Sequence, residues 1–240
     1  MKVLCDTHCH TVVSQHAFST VDEMIVYAQK RGLELICITD HGPKLPDAPN
    51  NWYFRSLPLI PRGVHGVKVL RGIESNVLDQ EGNVDIEPDF QEFLDIAIAS
   101  MHIPVYKSGT REQNTQTWLR VLDNPQIDIL GHLGDPRYDF EFEPVLQKVK
   151  EKNRMIEINN SSFFVRKGSG PRCVEILKIC KKLGVKIVVS SDSHICYKVG
   201  EFSKALEALK EVEFPEELVM NLNAQKLLNH LKEYKTIKNL

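Results

Sequence analysis

The sequence predicts an α/β fold whose parallel strands close into a barrel within one domain, and three observations carry that expectation. Apolar runs of strand length alternate with helical stretches about seven times along the 240 residues. No composition break, low-complexity run or sequence repeat interrupts the alternation, and the chain is long enough to bury a substantial core. The third observation separates a barrel from an open doubly wound sheet. Metal-binding residue types fall just after one strand run after another, and a barrel delivers all its strand C-termini to one mouth.

The chain begins with a short apolar strand, Met1 to Asp6, leading into Asp6-Thr7-His8-Cys9-His10, with His16 further on. On extended backbone alternate side chains share a face, so His8 and His10 point one way and Cys9 the other. Val21 to Gly32 reads as a helix with Thr20 as N-cap, Met24, Ile25 and Ala28 at helical spacing, and Gly32 as the stop. Glu34 to Thr39 is a strand buried on both faces, ending in Thr39-Asp40-His41-Gly42. The segment from Pro43 to Gly66, with several prolines and Trp52-Tyr53-Phe54, is either a binding loop or a proline-punctuated connection holding a short helix.

Val67 to Arg71 is the third strand, ending in Gly72-Ile73-Glu74-Ser75-Asn76; Asp79 to Gly82 is a turn and Phe90 to Leu94 a short helix. Strand Asp95 to Ser100 leads to Met101-His102, helix Thr115 to Leu122 follows, and strand Ile127 to Leu130 leads to Gly131-His132. Next come helix Pro144 to Lys152, strand Met155 to Ile158 running into Asn159-Asn160-Ser161-Ser162, and helix Pro171 to Leu183 closed by Gly184. Strand Lys186 to Ser190 leads into Ser191-Asp192-Ser193-His194, and helices Gly200 to Val212 and Asn223 to Tyr234 complete the chain.

A net charge of −2 offers no basic field for polyanions, so duplex nucleic acid is not an expected partner. No apolar run reaches the roughly 18 residues that cross a bilayer, and Asp6 and His8 interrupt any signal-type segment at once, which makes a cytoplasmic location the default expectation. The six cysteines form no C-x-x-C pair and sit mostly in apolar patterns, as buried free thiols do. Cys9 and Cys196 adjoin the histidine clusters but alternate with better ligands on the opposite face.

Taken singly, a histidine at a strand end is an ordinary hydrogen-bonded residue. Seven of the nine histidines, with Glu74 and Asp192, gather at strand ends here; only His65 and His230 stand aside, as solvated or structural residues. Buried imidazoles and carboxylates need partners, and a cluster of divalent ions of the zinc, manganese or iron group supplies them together.

Asp6-x-His8-x-His10, His16, Thr39-Asp40-His41-Gly42, Gly72-Ile73-Glu74, His102, Gly131-His132 and Ser191-Asp192-Ser193-His194 together resemble the PHP (polymerase and histidinol phosphatase) family. Asp47-Ala48-Pro49, Trp52, Arg71, Glu157-Ile158-Asn159-Asn160-Ser161-Ser162-Phe163 and Arg166-Lys167-Gly168-Ser169 are similar to its small bacterial YcdX-type phosphatase branch. The resemblance implies a distorted seven-stranded β/α barrel (TIM-like) holding three divalent metal ions, commonly zinc. It implies one ion on His8, His10, Glu74 and Asp192, a second on Glu74, His102 and His132, and a third on His16, His41 and His194. It also suggests a small homo-oligomer.

Three divalent ions against two carboxylates leave a strongly cationic site, which favours a phosphate monoester dianion over a neutral amide. A pair of such ions holds a water, lowers its pKa toward about 7 and aims it in line at phosphorus. Ser191 and Ser193 lack a G-x-S-x-G context, so no covalent serine step is expected. Asp40 either orients a ligating imidazole from behind or caps a turn, and Asp6 carries the same two options. Arg71, Asn159, Asn160, Arg166 and Lys167 are candidates for phosphate or substrate binding near the mouth, with a solvated loop pair as the alternative for Arg166-Lys167.

The expected activity is thus a metal-dependent phosphatase acting on a small phosphorylated molecule. Its competitors are a histidinol-phosphate phosphatase, a phosphodiesterase or exonuclease, and a non-catalytic module that metal merely stabilises. An amidohydrolase-type barrel also opens with His-x-His, but usually places a bridging lysine at the fourth strand's end, where this chain has Met101-His102.

Overall fold

The computed structural model describes residues 1–237. Strands β1 (Cys5–Asp6), β2 (Leu35–Ile38), β3 (Gly63–Val64), β4 (Val67–Asn76), β5 (Ile96–Ser100), β6 (Ile129–Leu130), β7 (Met155–Asn159) and β8 (Ile187–Ser190) form one sheet. Seven of them run parallel in the order β1-β2-β4-β5-β6-β7-β8, while β3 pairs antiparallel with β4. Between β8 and β1 the chain is joined by the parallel bridge Cys9↔Ser193, so the barrel is nearly closed. The expected distorted seven-stranded barrel is therefore present, with a hairpin strand, β3, added inside what looked in sequence like an irregular segment. That segment also carries α2 (Asn51–Ser56), whose N-cap Asn50 accepts from the Trp52 N–H, so it is a structured connection.

The remaining helices are α1 (Val21–Lys30), α3 (Arg111–Val121), α4 (Phe142–Glu151), α5 (Ser162–Val165), α6 (Ser169–Leu183), α7 (Ser203–Glu211) and α8 (Ala224–Lys232). Their ends follow local chemistry. Thr20 and Glu23 form a capping box at the start of α1, and Thr110 and Gln113 form another at α3. The second box starts α3 four residues before the helix expected from Thr115. Gly184, at φ +75°, closes α6 by donating its N–H to the Cys180 carbonyl.

Strand alternation sorts the apolar residues into two cores. Ile36, Ile38, Val69, Ile73, Ala97, Ala99, Ile156 and Val189 pack outward under the helices. Leu35, Cys37, Leu70, Ile96, Ile98, Ile129, Met155 and Val188 fill the barrel interior at its N-terminal end, where Leu227, Leu228 and Leu231 of α8 plug it. Above that plug the inward positions turn polar: Leu70 gives way to Glu74 on β4, and Met155 to Glu157 on β7. All six cysteines are buried and free, as expected.

Candidate metal centre at the barrel mouth

Each strand end contributes to one buried cluster. His8 and His10 leave β1, His41 follows β2 and bridges to Glu74, His102 follows β5, His132 follows β6, and Asp192 and His194 follow β8. Glu74 itself lies within β4 rather than beyond its end, because β4 continues from Val67 to Asn76 instead of stopping at Arg71. His132 and Asp192 sit at φ +30° and +53°, a strained backbone for non-glycine residues that turns both side chains at the mouth.

The nine candidate residues converge at contact distance. Glu74 Oε2 is 3.3 Å from His8 Nε2, 3.5 Å from His10 Nε2 and 2.7 Å from His41 Nδ1. Its other oxygen, Oε1, is 3.0 Å from His132 Nε2 and 3.4 Å from His102 Nε2. Asp192 Oδ1 lies 3.6 Å from His8 Nε2 and 3.3 Å from His10 Nε2. His16 Nε2 faces His41 Nε2 at 3.1 Å and His194 Nε2 at 3.0 Å.

The far side of several rings is already committed, and this decides which nitrogens face the centre. His8 Nδ1 is 2.6 Å from Glu157, His16 Nδ1 2.5 Å from Asp47, His102 Nδ1 2.7 Å from the Asn76 side-chain Oδ1, and His194 Nδ1 3.1 Å from the Asp192 main-chain carbonyl. With Nδ1–H donated outward, each Nε2 presents a lone pair inward. His8 Nε2, both His10 nitrogens, His41 Nδ1 and Glu74 Oε2 are buried and have no hydrogen-bond partner among the described residues. Lone pairs facing lone pairs in a dry site repel, and cations relieve that repulsion.

The charge states of Glu74, Asp192, His10, His132 and His194 fit ligation. For Glu74 and Asp192, burial acts to raise the carboxyl pKa, but the surrounding imidazoles outweigh it and hold both well below the usual range. Burial holds His10, His132 and His194 below the ordinary imidazole value, which keeps them neutral. His8 differs: burial pushes it down, but Glu157, Glu74 and Asp192 together pull it well above. Triples from these residues (His10, His41 and His194; His8, His10 and Glu74; His41, Glu74 and His102) have donor atoms within 4.8 Å of one another.

Other expected site residues are placed differently. The carboxylate of Asp40 accepts from Thr11 N and Oγ1, Ser14 Oγ and the Tyr53 hydroxyl, so it ties the loop after β1 to α2 and touches no imidazole. Asp6 accepts from the N–H groups of Ser191 and Gly200, again tying loops. The Arg71 guanidinium donates to the carbonyls of Pro58 and Ile60, away from the mouth, because β4 is longer than its sequence suggests. Asn160 uses its side-chain oxygen on the N–H groups of Lys204 and Ala205 at the start of α7, so it is a helix cap.

Asn159 is at the centre, donating to Asp192 and to Glu157. Arg166 is also there: its side chain is 12% exposed and lies 3.4 Å from Asp192. Lys167 is exposed on the neighbouring loop.

Glu157, Asp47 and Asn76 carry the outward hydrogen bonds of the cluster, yet sequence reasoning gave none of them that task. Glu157 does the most. It bonds His8, accepts from the His132 N–H at 2.7 Å and takes the Ser190 hydroxyl. Its sequence signals were its place at the head of the Glu157-Ile158-Asn159-Asn160 motif and an acid interrupting the apolar strand at Met155 to Ile158, neither of which named a partner.

A family model described as "PHP domain" matches residues 6–161. A probable phosphatase of Clostridium novyi is 48% identical over 241 aligned positions, covering 100% of this chain and 99% of that protein. A probable phosphatase of a Thermoanaerobacter strain is 46% identical, covering 98% and 97%. Among solved structures, histidinol phosphate phosphatase from Lactococcus lactis, complexed with zinc, L-histidinol and phosphate, superposes with a TM-score of 0.65 at 20% identity, covering 90% of this chain and 95% of that one.

Proposed function

The chain belongs to the PHP family, and from that premise we propose that it is a metal-dependent phosphatase hydrolysing phosphate monoesters of small molecules at a trinuclear site. The observation that carries this is the set of inward-facing, partnerless donor atoms around Glu74, whose two oxygens face different histidine groups. Buried imidazoles with two carboxylates suit zinc first, and manganese or iron also. His8, His10, Glu74 and Asp192 would hold one ion, Glu74, His102 and His132 a second, and His16, His41 and His194 a third. Bound divalent ions supply charge that stabilises phosphoryl oxygens and acidify water for attack.

The protein's own groups perform the rest. Glu157, Asn76 and Asp47 fix ring orientation by taking the outward N–H of His8, His102 and His16. Asn159 holds Asp192 in place with a 3.0 Å hydrogen bond. Arg166, mostly buried beside Asp192, offers a guanidinium to phosphate oxygens, and Lys167 adds a charge on the rim. Asp40 acts at one remove, by holding the loop that carries His16.

The test is phosphate release from a panel of monoesters, histidinol phosphate among them, by metal-replete protein. Metal content is measured alongside, with a His10→Ala control. Hydrolysis that disappears in the control, with about three ions per chain, is expected. Metal-loaded protein that releases no phosphate from any monoester would refute the proposal in favour of diesters or a non-catalytic module.

A further inference from the structure

Beside the cluster lies a cavity of 710 Å³ that shares Asp192 and His194 with it and opens outward between α5 and the loop after β8. That volume is far more than a phosphate group needs and falls in the range of small-molecule sites. Its outer wall is apolar. Phe164 and Val165 of α5 line it and are 64% and 69% exposed, on a helix of one turn. Ile195 continues the apolar wall from the opposite loop.

The placement of α5 is fixed from beneath. The Ser162 N–H donates to Asn159, which itself bonds Asp192, and the Ser162 hydroxyl accepts from Arg166. One short helix therefore grips the reactive centre with its buried face and presents two large hydrocarbon side chains to the cavity with the other. Exposed apolar side chains gathered at a cavity mark a binding surface, because water gains by leaving them. Away from Asp192, which belongs to the metal centre, the cavity's charged residues, Lys198 and Glu201, have opposite signs, so that outer part favours no net charge on an occupant.

The geometry points to a leaving-group pocket: the cavity takes an apolar, uncharged organic part of the phosphate monoester, such as an aryl group, against Phe164 and Val165. This rests on the phosphatase proposal and narrows its substrate class. Occupancy by the substrate follows from continuity, since Asp192 and His194 belong to both the cavity and the centre.

The test is calorimetric binding of two non-hydrolysable probes, benzylphosphonate and methylphosphonate, to metal-loaded protein. Benzylphosphonate is expected to bind at least about tenfold tighter, the scale of a buried hydrocarbon group. Phe164→Ser is expected to shrink that gap to within about threefold while leaving methylphosphonate affinity unchanged. Val165→Ser is a second variant at an equally exposed position that does not threaten the fold. Phenyl phosphate hydrolysis by Phe164→Ser is expected to show a raised KM, with glycerol 2-phosphate unaffected.

Equal affinity of the two probes, or a gap that survives both variants, overturns the pocket while phosphate release keeps the phosphatase proposal standing. Failure of both probes to bind, together with no monoester hydrolysis, overturns the phosphatase proposal and this inference with it.

Discussion

The two ends of the barrel interior are built from the same strands and the same inward-facing positions, yet they have opposite chemistry. At the N-terminal end Leu35, Leu70, Ile96, Met155 and Val188 pack against α8. A few residues further along the same strands or just beyond them stand His41, Glu74, His102, Glu157 and Asp192, equally buried or nearly so. One end stabilises by removing hydrocarbon from water; the other concentrates polar groups that destabilise unless something binds them. A barrel can hold such a centre because an apolar layer elsewhere carries the fold.

The sharpest way to break the comparison is to exchange the consequences of a substitution at each end. His10→Ala should lower kcat/KM by about 10²–10³-fold or more, with thermal stability of the metal-free protein little changed. Leu35→Ala should leave metal per folded chain and kcat intact but cost about 2–5 kcal/mol in urea unfolding. Loss of activity without loss of stability in the Leu35 variant would merge the two ends into one unit.

Chelation probes the same division in the wild type. Removing metal should abolish phosphate release and lower Tm, because up to about 4 kcal/mol of linkage stabilisation at a thousandfold excess over Kd is lost. The barrel should keep its far-ultraviolet dichroism, because its apolar end needs no ion. Unfolding on chelation would mean that the mouth, rather than the plug, holds the fold.

Glu157 sits between the two layers and should give an intermediate effect. Glu157→Gln keeps the shape but weakens the hold on His8, so metal affinity should fall about 10–100-fold with the fold intact. Excess zinc should restore most activity. Titrating metal back into the stripped variant, with dichroism and activity read together, checks this, and affinity equal to wild type would reduce Glu157 to a core residue.

How much of this was readable from sequence follows from the range of the interactions. Helix α1 was readable because Thr20, Met24, Ile25 and Ala28 lie within one local window. The convergence of the candidate metal ligands other than His16 was readable because each follows or ends a short apolar run, so topology alone brings them together. The tasks of Asp40, Asp6 and Asn160 were not, because their partners are set by loop paths: Asp6 bonds residues 185 and 194 positions away. Glu157 is the instructive case, since His8 lies 149 residues from it and only barrel closure makes them neighbours. The start of α3 is different, because the Thr110–Gln113 capping box is local and was open to detection.

Arg71 gives the smallest expected effect and the cleanest control on where the mouth ends. A cation next to Gly72-Ile73-Glu74 invites a phosphate-binding role, but Ile38 is its strand partner and its guanidinium bonds the carbonyls of Pro58 and Ile60 in the connection between β2 and β4. Those bonds satisfy carbonyl groups that the turn after α2 leaves without strand partners, which is a structural task. Arg71→Ala should therefore cost about 1–3 kcal/mol of stability through the lost bonds and leave kcat/KM within about twofold. Measured side by side, urea midpoint and phosphate release separate the two roles. A tenfold fall in kcat/KM with an unchanged midpoint would place Arg71 among the substrate-binding groups and extend the polar end of the barrel one full layer downward, to the level of Arg71 itself.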